Sequence, residues 1–525
     1  MKHFNITFKP DNRKIAIHAG ATILEAAGQA GIILNSVCGG RGTCEKCAVN
    51  IEPGGEKVLA CQYRIESDLT VTIPVGSRFF EQKILAEGIE AETRIDRDIY
   101  KKYLQIRPDA ELFGVAVDIG TTTVVARLIS MQSGRSLATE AALNPQTRYG
   151  DDVVSRIAYA DTEVKLAELQ KVIIDCINDL IDRLCNKAAI DGKQIFEVCA
   201  VGNTTMNHIF LKMPVKQLGR APYKAHSLDA RDTAAGESAL QINPAGNVHT
   251  VENIAGFVGS DTIAVALATD IDSAERMSLV VDIGTNGEIV LGTAETLYAA
   301  SCAAGPAFEG ARISCGSRAV EGAIEAVVVN EDGIDLDVIG NSPPHSICGS
   351  GLIDAVAILL NLGIVDATGR FTKPTSLEGK ISPALFSRII EQNSQPAFVL
   401  DDAQKVTLTQ ADIRQVQLAK AAIRAGIIFL ERKLDISDSD IEQIFLAGAF
   451  GNYIRAESAL RLKMLPDVPH ERIRFVGNAA GSGAQMILLS EQCREKAKEL
   501  ARKIEYVEIA HQPNFQDVFA ESMAF

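Results

Sequence analysis

The chain has 525 residues, more than one ordinary core accommodates, so two or three domains are expected. Its 52 basic residues face 67 acidic ones, a formal charge of -15, which argues against a nucleic-acid partner because phosphate binding rests on basic surface. No apolar run approaches the ~18 residues of a membrane span and no leader pattern opens the chain. A cytoplasmic protein with no membrane partner is therefore expected, its eleven cysteines serving metal ligation or burial rather than disulfides.

Residues 3 to 8 and 14 to 18 alternate apolar and polar side chains on either side of Pro-Asp-Asn-Arg, a hairpin pattern. Apolar residues recur at helical spacing from Thr22 to Ala30, and Gly31 is placed to end that helix. Cysteines follow at Cys38, Cys44, Cys47 and Cys61, separated by five, two and thirteen residues. The glycines between the first two permit a tight coil, so that three thiolates wrap one side of a small iron-sulfur cluster and Cys61 closes the fourth position from a separate strand or turn. Four cysteines also suit a structural zinc, although zinc ribbons pair two short-spaced couples and this set is three plus one. On these cysteines, residues 1–77 resemble a plant-type or adrenodoxin-like 2Fe-2S ferredoxin domain, which implies a small β-grasp fold. Glu45 stands where many relatives have glycine, which bears on the loop's potential and surface charge. Residues 78–111 are rich in charge and isoleucine at helical spacing and read as a helical linker, either a plain spacer or a tether for the domain before it.

Beyond the linker the sequence repeats itself. Residues 115 to 126 (Val-Ala-Val-Asp-Ile-Gly-Thr-Thr-Thr-Val-Val-Ala) and 279 to 290 (Leu-Val-Val-Asp-Ile-Gly-Thr-Asn-Gly-Glu-Ile-Val) each read as a buried strand, a turn of small polar residues and a second strand. A second echo pairs Ala-Val-Gly-Asn-Thr-Thr at 200–205 with Phe-Val-Gly-Asn-Ala-Ala at 475–480. Two ordered echoes predict two similar lobes, 112–278 and 279–525, facing a cleft. Turns of this kind can hydrogen-bond phosphate oxygens, and an aspartate at the strand end can hold Mg2+ through water. Asp118 with Gly120, Thr121, Thr122 and Thr123 is the candidate on one lobe, and Asp282 with Gly284, Thr285, Asn286 and Gly287 on the other. Glu288 and Asp261 are candidates for positioning water at a terminal phosphate. Residues 444 to 451 run from a buried strand into Gly448, Ala449, Phe450 and Gly451, a small-residue turn suited to a flat ring such as adenine.

This order of elements resembles the acetate and sugar kinase, heat-shock chaperone and actin superfamily. The resemblance implies an α/β multidomain protein whose large two-lobed actin-like ATPase part has duplicated ribonuclease-H-like lobes and binds ATP. Further stretches narrow it. They are Asn144-Pro145-Gln146 through Gly150, Asp151 and Asp152 to Ser155-Arg156; Gly256-Phe257-Val258-Gly259 before Asp261; Gly305 to Gly310; and Cys348-Gly349-Ser350-Gly351. With the cysteine domain in front, they resemble the ATP-dependent reductive activators of corrinoid proteins. That resemblance implies one-electron transfer from a 2Fe-2S cluster to a Co(II) corrinoid, a corrinoid-protein partner of a methyltransferase system, an upstream low-potential electron donor and a homodimer. Gly305, Gly349, Ser350 and Gly351 join the candidate cofactor contacts. Rival readings are an activator of a dehydratase or another low-potential enzyme, a nucleotide-sensing module with a plain ferredoxin carrier, and a small-molecule kinase. His208, His226 and His345 read as locally satisfied rather than corrinoid-ligating. Cys176, Cys185, Cys199, Cys302, Cys315, Cys348 and Cys493 read as buried.

Overall fold

The computed structural model describes residues 3–10, 13–30, 32, 34, 47–53, 55–74, 95, 99, 111–150, 152–330, 333–403, 405–448 and 454–525. Gly31, Cys38, Cys44, Asp151, Ala449, Phe450 and Gly451 lie outside the described residues, as does nearly all of the linker expected at 78–111.

Near the N-terminus, β1 (His3–Lys9) and β2 (Arg13–His18) form the antiparallel hairpin that the alternation predicts, with Ile6 opposite Ile15. Phe4, Ile6 and Phe8 turn inward and the intervening residues outward, the period of a sheet with one covered face. The helix Ile23–Gln29 falls inside the predicted span. With β3 (Ala48–Glu52), β4 (Glu56–Leu59) and β5 (Leu69–Thr72), the strands give a five-stranded sheet in the order β2-β1-β5-β3-β4, in which β1 and β5 run parallel. Ala26, Ala27 and Ile23 of the helix pack with Ile6, Val49 and Val71 of the sheet in one core, the β-grasp arrangement.

The first lobe is built on β6 (Phe113–Ile119), β7 (Thr123–Ser130), β8 (Ser136–Leu143), β9 (Ile195–Gly202), β10 (Arg231–Ala234) and β11 (Asn247–Thr250), ordered β10-β11-β9-β6-β7-β8. The second is built on β12 (Ser278–Ile283), β13 (Gly287–Gly292) and β14 (Leu297–Cys302). Two three-stranded sheets are inserted after these, β15 (Ala323–Asn330), β16 (Gly333–Val338) and β17 (Ser346–Ile347), then β18 (Ile389–Gln392), β19 (Gln395–Val399) and β20 (Thr407–Thr409). The main sheet then resumes with β21 (Gln443–Ala447), β22 (Ile473–Gly477) and β23 (Ile504–Tyr506), giving the order β22-β21-β12-β13-β14-β23. In both lobes three antiparallel strands are followed by strands added in parallel beside the first, so β6 to β9 correspond to β12, β13, β14 and β21.

That correspondence corrects one sequence expectation. The echo of 200–205 with 475–480 pairs β9, which lies beside β6, with β22, which lies one strand further out than the β6-neighbour position. What the two stretches share is local: each ends a strand in Gly-Asn, and the asparagine side chain caps the next helix, Asn203 accepting from Met206 N–H and Asn478 from Gly481 N–H.

The central strands are apolar without alternation because both sheet faces are covered. The helix Glu163–Ala188 covers one face of the first lobe, with Leu169, Ile177, Leu180, Ile181 and Leu184 fully buried against it. Each such side chain contributes about 1.5–3 kcal/mol. The other face meets the helices Ser260–Thr269 and Ala479–Leu489, which join the two lobes in a shared core. Gly483 lies directly on the Ala264 backbone, a separation that a Cβ would prevent. Glu197, buried in β9, pairs with Arg494 at 2.8 Å across the same junction.

Candidate functional site

Two sites follow from this frame. In the N-terminal domain, Cys47 immediately precedes β3 and Cys61 follows β4, so the sheet brings together thiols fourteen residues apart. Both are buried, and their sulfurs lie 3.4 Å apart. Two thiolates on one tetrahedral centre with ~2.3 Å bonds would be about 3.8 Å apart, whereas a disulfide would require ~2.05 Å, so the pair fits shared ligation rather than oxidation. The Gln62 side-chain amide, 3.6 Å from Cys61 Sγ, is the kind of donor a ligating sulfur accepts. Among the described residues this donor set fits the cluster read from the spacing.

Between the lobes lies a cleft of about 560 Å³, the size of a small-molecule site. Each lobe presents a hairpin turn to it. In the first, Ile119 pairs with Val124 around Gly120, Thr121, Thr122 and Thr123, closed by Gly120 N–H donating to Thr123 O at 2.9 Å. In the second, Ile283 pairs with Gly287 around Gly284, Thr285 and Asn286, closed by Gly284 N–H donating to Asn286 O at 2.9 Å.

The first turn is held from behind. Asn144 donates its side-chain amide to Gly120 O at 2.8 Å and its N–H to Thr122 O at 2.8 Å. Arg156, fully buried, donates to Thr121 O and, at 2.9 Å, to Gly150 O. Asn203 donates to Thr121 Oγ1 at 3.0 Å. The Asn144-to-Arg156 motif is thus a brace for three successive carbonyls. The second turn has a different support, Gly305 N–H donating to Thr285 O at 3.1 Å. The turns also touch each other: Thr122 Oγ1 and Thr285 Oγ1 lie 3.0 Å apart, and the Glu309 carboxylate accepts from both hydroxyls, at 2.9 Å from Thr122.

Carboxylates dominate the cleft floor. Burial, then the neighbouring Asp261 charge, raises Asp118 to about 7. Burial with the charges of Asp261 and Asp118 raises Asp282 to about 8. Burial raises Asp261 to about 6, held back by its hydrogen bond from Thr262 N–H, and raises Glu288 well above the usual carboxylate range, with help from Asp261 and Asp282. Four acids that repel one another in this way make a place for a divalent cation or for proton handling. Arg318 is the one cation on the cleft wall among the described residues. Gly349 and Ser350 open the helix Gly349–Asn361 at the cleft, so the positive end of its dipole faces the site.

The comparisons with known proteins match this division of labour. A family model described as "2Fe-2S iron-sulfur cluster binding domain" matches residues 4–74, "RACo middle region" matches 113–274, and "C-terminal domain of RACo the ASKHA domain" matches 276–525. The chain is 32% identical to the corrinoid activation enzyme RamQ of Eubacterium limosum, over 98% of this chain and 97% of the relative. It belongs to the corrinoid activation enzyme family. It is also 24% identical to the [Co(II) methylated amine-specific corrinoid protein] reductase of Methanosarcina barkeri, over 75% of this chain and 73% of the relative. Among solved structures, the reductive activator for corrinoid, iron-sulfur protein superposes with a TM-score of 0.73 at 31% identity, covering 99% of this chain and 98% of that one.

In this activator-family chain, one cleft gathers most of the residues singled out in the sequence: Asp118, Gly120, Thr121, Thr122, Thr123, Asp282, Gly284, Thr285, Asn286, Glu288, Gly349, Ser350 and Gly448. Three others lie behind its wall. Gly287 opens β13 against Ile423, Gly351 lies on the Ile324 backbone, and Gly305 holds the second turn from the rear. Gly448, at φ 87°, lies so near Asp282 that a Cβ would meet its carboxylate and, at 2.6 Å, Ile283 O. Sequence reasoning left Asn203, Asn478, Glu309 and Arg318 off the site. The Gly-Asn helix-cap signal could have found the first two, and the lone acid inside the Gly305–Gly310 stretch the third.

The histidine expectation agrees with the geometry at His208, whose Nδ1 lies 2.7 Å from Thr204 O while Nε2 accepts from His226 N–H; burial lowers its pKa to about 4. Cys302 and Cys348 are buried, and burial raises both thiols. Cys315 and Cys493 are only partly buried, a correction to the expectation of full burial: Cys315 sits in the loop after Pro306–Glu309 and Cys493 on the amphipathic helix Glu491–Lys503. Among the described residues, no helix is long and apolar enough to cross a membrane.

Proposed function

We propose that this chain is an ATP-dependent reductive activase that delivers one electron to the Co(II) corrinoid of a partner protein, restoring Co(I), while ATP turns over between the lobes. One observation carries the reading: a buried cysteine site and a two-turn phosphate cleft share a chain that is 32% identical, over nearly its whole length, to a corrinoid activation enzyme. When bound, the 2Fe-2S cluster, held by Cys38, Cys44, Cys47 and Cys61, supplies the electron.

The residues divide as follows. Thr121, Thr122 and Thr123 on one turn and Thr285 and Asn286 on the other bond the phosphates, joined by the Gly349 and Ser350 amides. Asp118 and Asp282 hold Mg2+ through water. Gly448 with Ala449, Phe450 and Gly451 receives the adenosine, and Glu288, assisted by Asp261, orients the attacking water. The division into 1–77, 78–111, 112–278 and 279–525 belongs to the same reading, as do a homodimer, a cytoplasmic setting and an upstream low-potential donor.

ATP belongs here because the electron transfer is uphill. Plant-type clusters lie near -400 mV, and Co(I) is more strongly reducing still. Each 100 mV is worth about 2.3 kcal/mol per electron. Coupling between two sites typically supplies about 1–3 kcal/mol, so lobe closure can offset a gap of about 100 mV, and a larger gap requires direct coupling to hydrolysis.

The test mixes the anaerobically reduced protein with a Co(II) corrinoid protein and follows the visible spectrum. Co(I) accumulates with ATP; equal accumulation without it removes the energy coupling. Cys44→Ser is expected to abolish the cluster absorption while ATP binding survives.

A further inference from the structure

Glu309 occupies an unusual position. It lies in the single turn Pro306–Glu309, bounded by Gly305 at φ 76° and Gly310 at φ 79°, backbone conformations that suit glycine and give this short segment a pivot at each end. From there its carboxylate reaches across the cleft and accepts from Thr122 Oγ1 on one lobe and Thr285 Oγ1 on the other. These two hydroxyls are donors that the phosphate reading assigns to ATP. A carboxylate and a phosphate oxygen cannot both take the same protons, and placed side by side they repel.

The surroundings sharpen the conflict. Asp118, Asp261, Asp282 and Glu288 already crowd the floor with carboxyl groups, and Arg318 is the single cation on the wall among the described residues. Adding a triphosphate while Glu309 stays in place is unfavourable. The supports of the two turns differ in a way that allows the exchange. The first is fixed by Asn144 and Arg156 from within its own lobe, whereas the second is held through Gly305, the first pivot of the segment that carries Glu309.

We propose that Glu309 is a displaceable carboxylate latch: it ties the two phosphate turns together through Thr122 and Thr285, and an ATP phosphate competes with it for these hydroxyls and takes its place. The lobe-to-lobe tie is thereby transferred from protein to nucleotide, so that the Glu309 segment reports phosphate occupancy to the second turn. This rests on the proposal that the cleft holds ATP by its phosphates.

The experiment is isothermal titration of the full-length protein with Mg-ATP and, separately, with adenosine, which lacks phosphate. Glu309→Ala removes the competitor and is expected to lower the ATP Kd about ten-fold, the size of one charge-assisted hydrogen bond. Glu309→Gln keeps the shape but loses the charge and is expected to give a smaller decrease in the same direction. Adenosine affinity is expected to stay unchanged in both. An ATP Kd that is unchanged or raised in both variants overturns the latch, and so does an equal shift for adenosine. Should the wild type bind adenosine but gain nothing from the phosphates, the reading of the cleft fails instead. Retention of the cluster absorption and of a single cooperative melting transition certifies that each variant is folded.

Discussion

The turns at 120–123 and 284–286 sit on hairpins of the same topology, yet the strand-end aspartates beside them face different partners. In the first lobe Asp118 faces Val125; in the second Asp282 faces Glu288. The second turn is also shorter by one residue, and its support comes from a segment with glycine pivots rather than from a buried arginine. The two copies of one scaffold are therefore supported differently. The first turn is braced by Asn144 and Arg156, and the second lies beside the paired Asp282 and Glu288 and against Glu309.

The largest expected effect tests the cross-strand difference directly. Glu288→Gln is expected to lower ATP turnover about 10²- to 10⁴-fold in a phosphate-release assay, the usual loss when an acid-base group is removed, while Val125→Ala changes it only a few-fold. Comparable losses in the two variants would erase the functional asymmetry. Next comes the brace. Arg156→Ala strips the buried donor from Thr121 O and Gly150 O and is expected to cost about 2–5 kcal/mol by denaturant unfolding of the cleft domain, with the cluster absorption unaffected. A cost below ~1 kcal/mol would show that the first turn does not depend on it.

The smallest effect concerns pH. Asp282 has a folded-state pKa of about 8 against 3.8 for the free group, so between these values the native protein holds a proton that the unfolded chain has released. Raising the pH through that window therefore lowers stability, and Asp282→Asn removes the loss. The variant is expected to melt higher than wild type by about 1–3 kcal/mol equivalent at pH 8 in the absence of divalent cation, with a smaller gain at pH 5. Asp118, raised only to about 7, is expected to reach its full effect one pH unit earlier. Identical pH profiles for the two variants would mean that the lobes do not differ electrostatically.

Some features were legible in the chain because they are local. The alternation of His3–Lys9 and Arg13–His18 gives the first hairpin, and the two Asp-Ile-Gly-Thr turns place Asp118 and Asp282 at strand ends facing one cleft. The second echo misled because Gly-Asn after a strand records only how a helix is capped, and that motif occurs on strands at different places in a sheet. Gly287 and Gly351 were read as cofactor contacts from their neighbours. One step along a strand turns a residue to the opposite face, and one step along a helix turns it by about 100°; both glycines lie against the core.

The sequence by itself determined the fold class, the cysteine and phosphate chemistries and the duplication, because periodicity, cysteine spacing and repeated turns are properties of short windows. Only the tertiary structure decided that Arg156 reaches Thr121 from thirty-five residues away, that Glu309 bridges Thr122 and Thr285, and that Glu288 rather than a valine faces Asp282. The reason is physical. A carboxylate acquires its role from the donors and charges that packing brings within a few ångströms, and for Glu309 one of those donors lies 187 residues away in the chain.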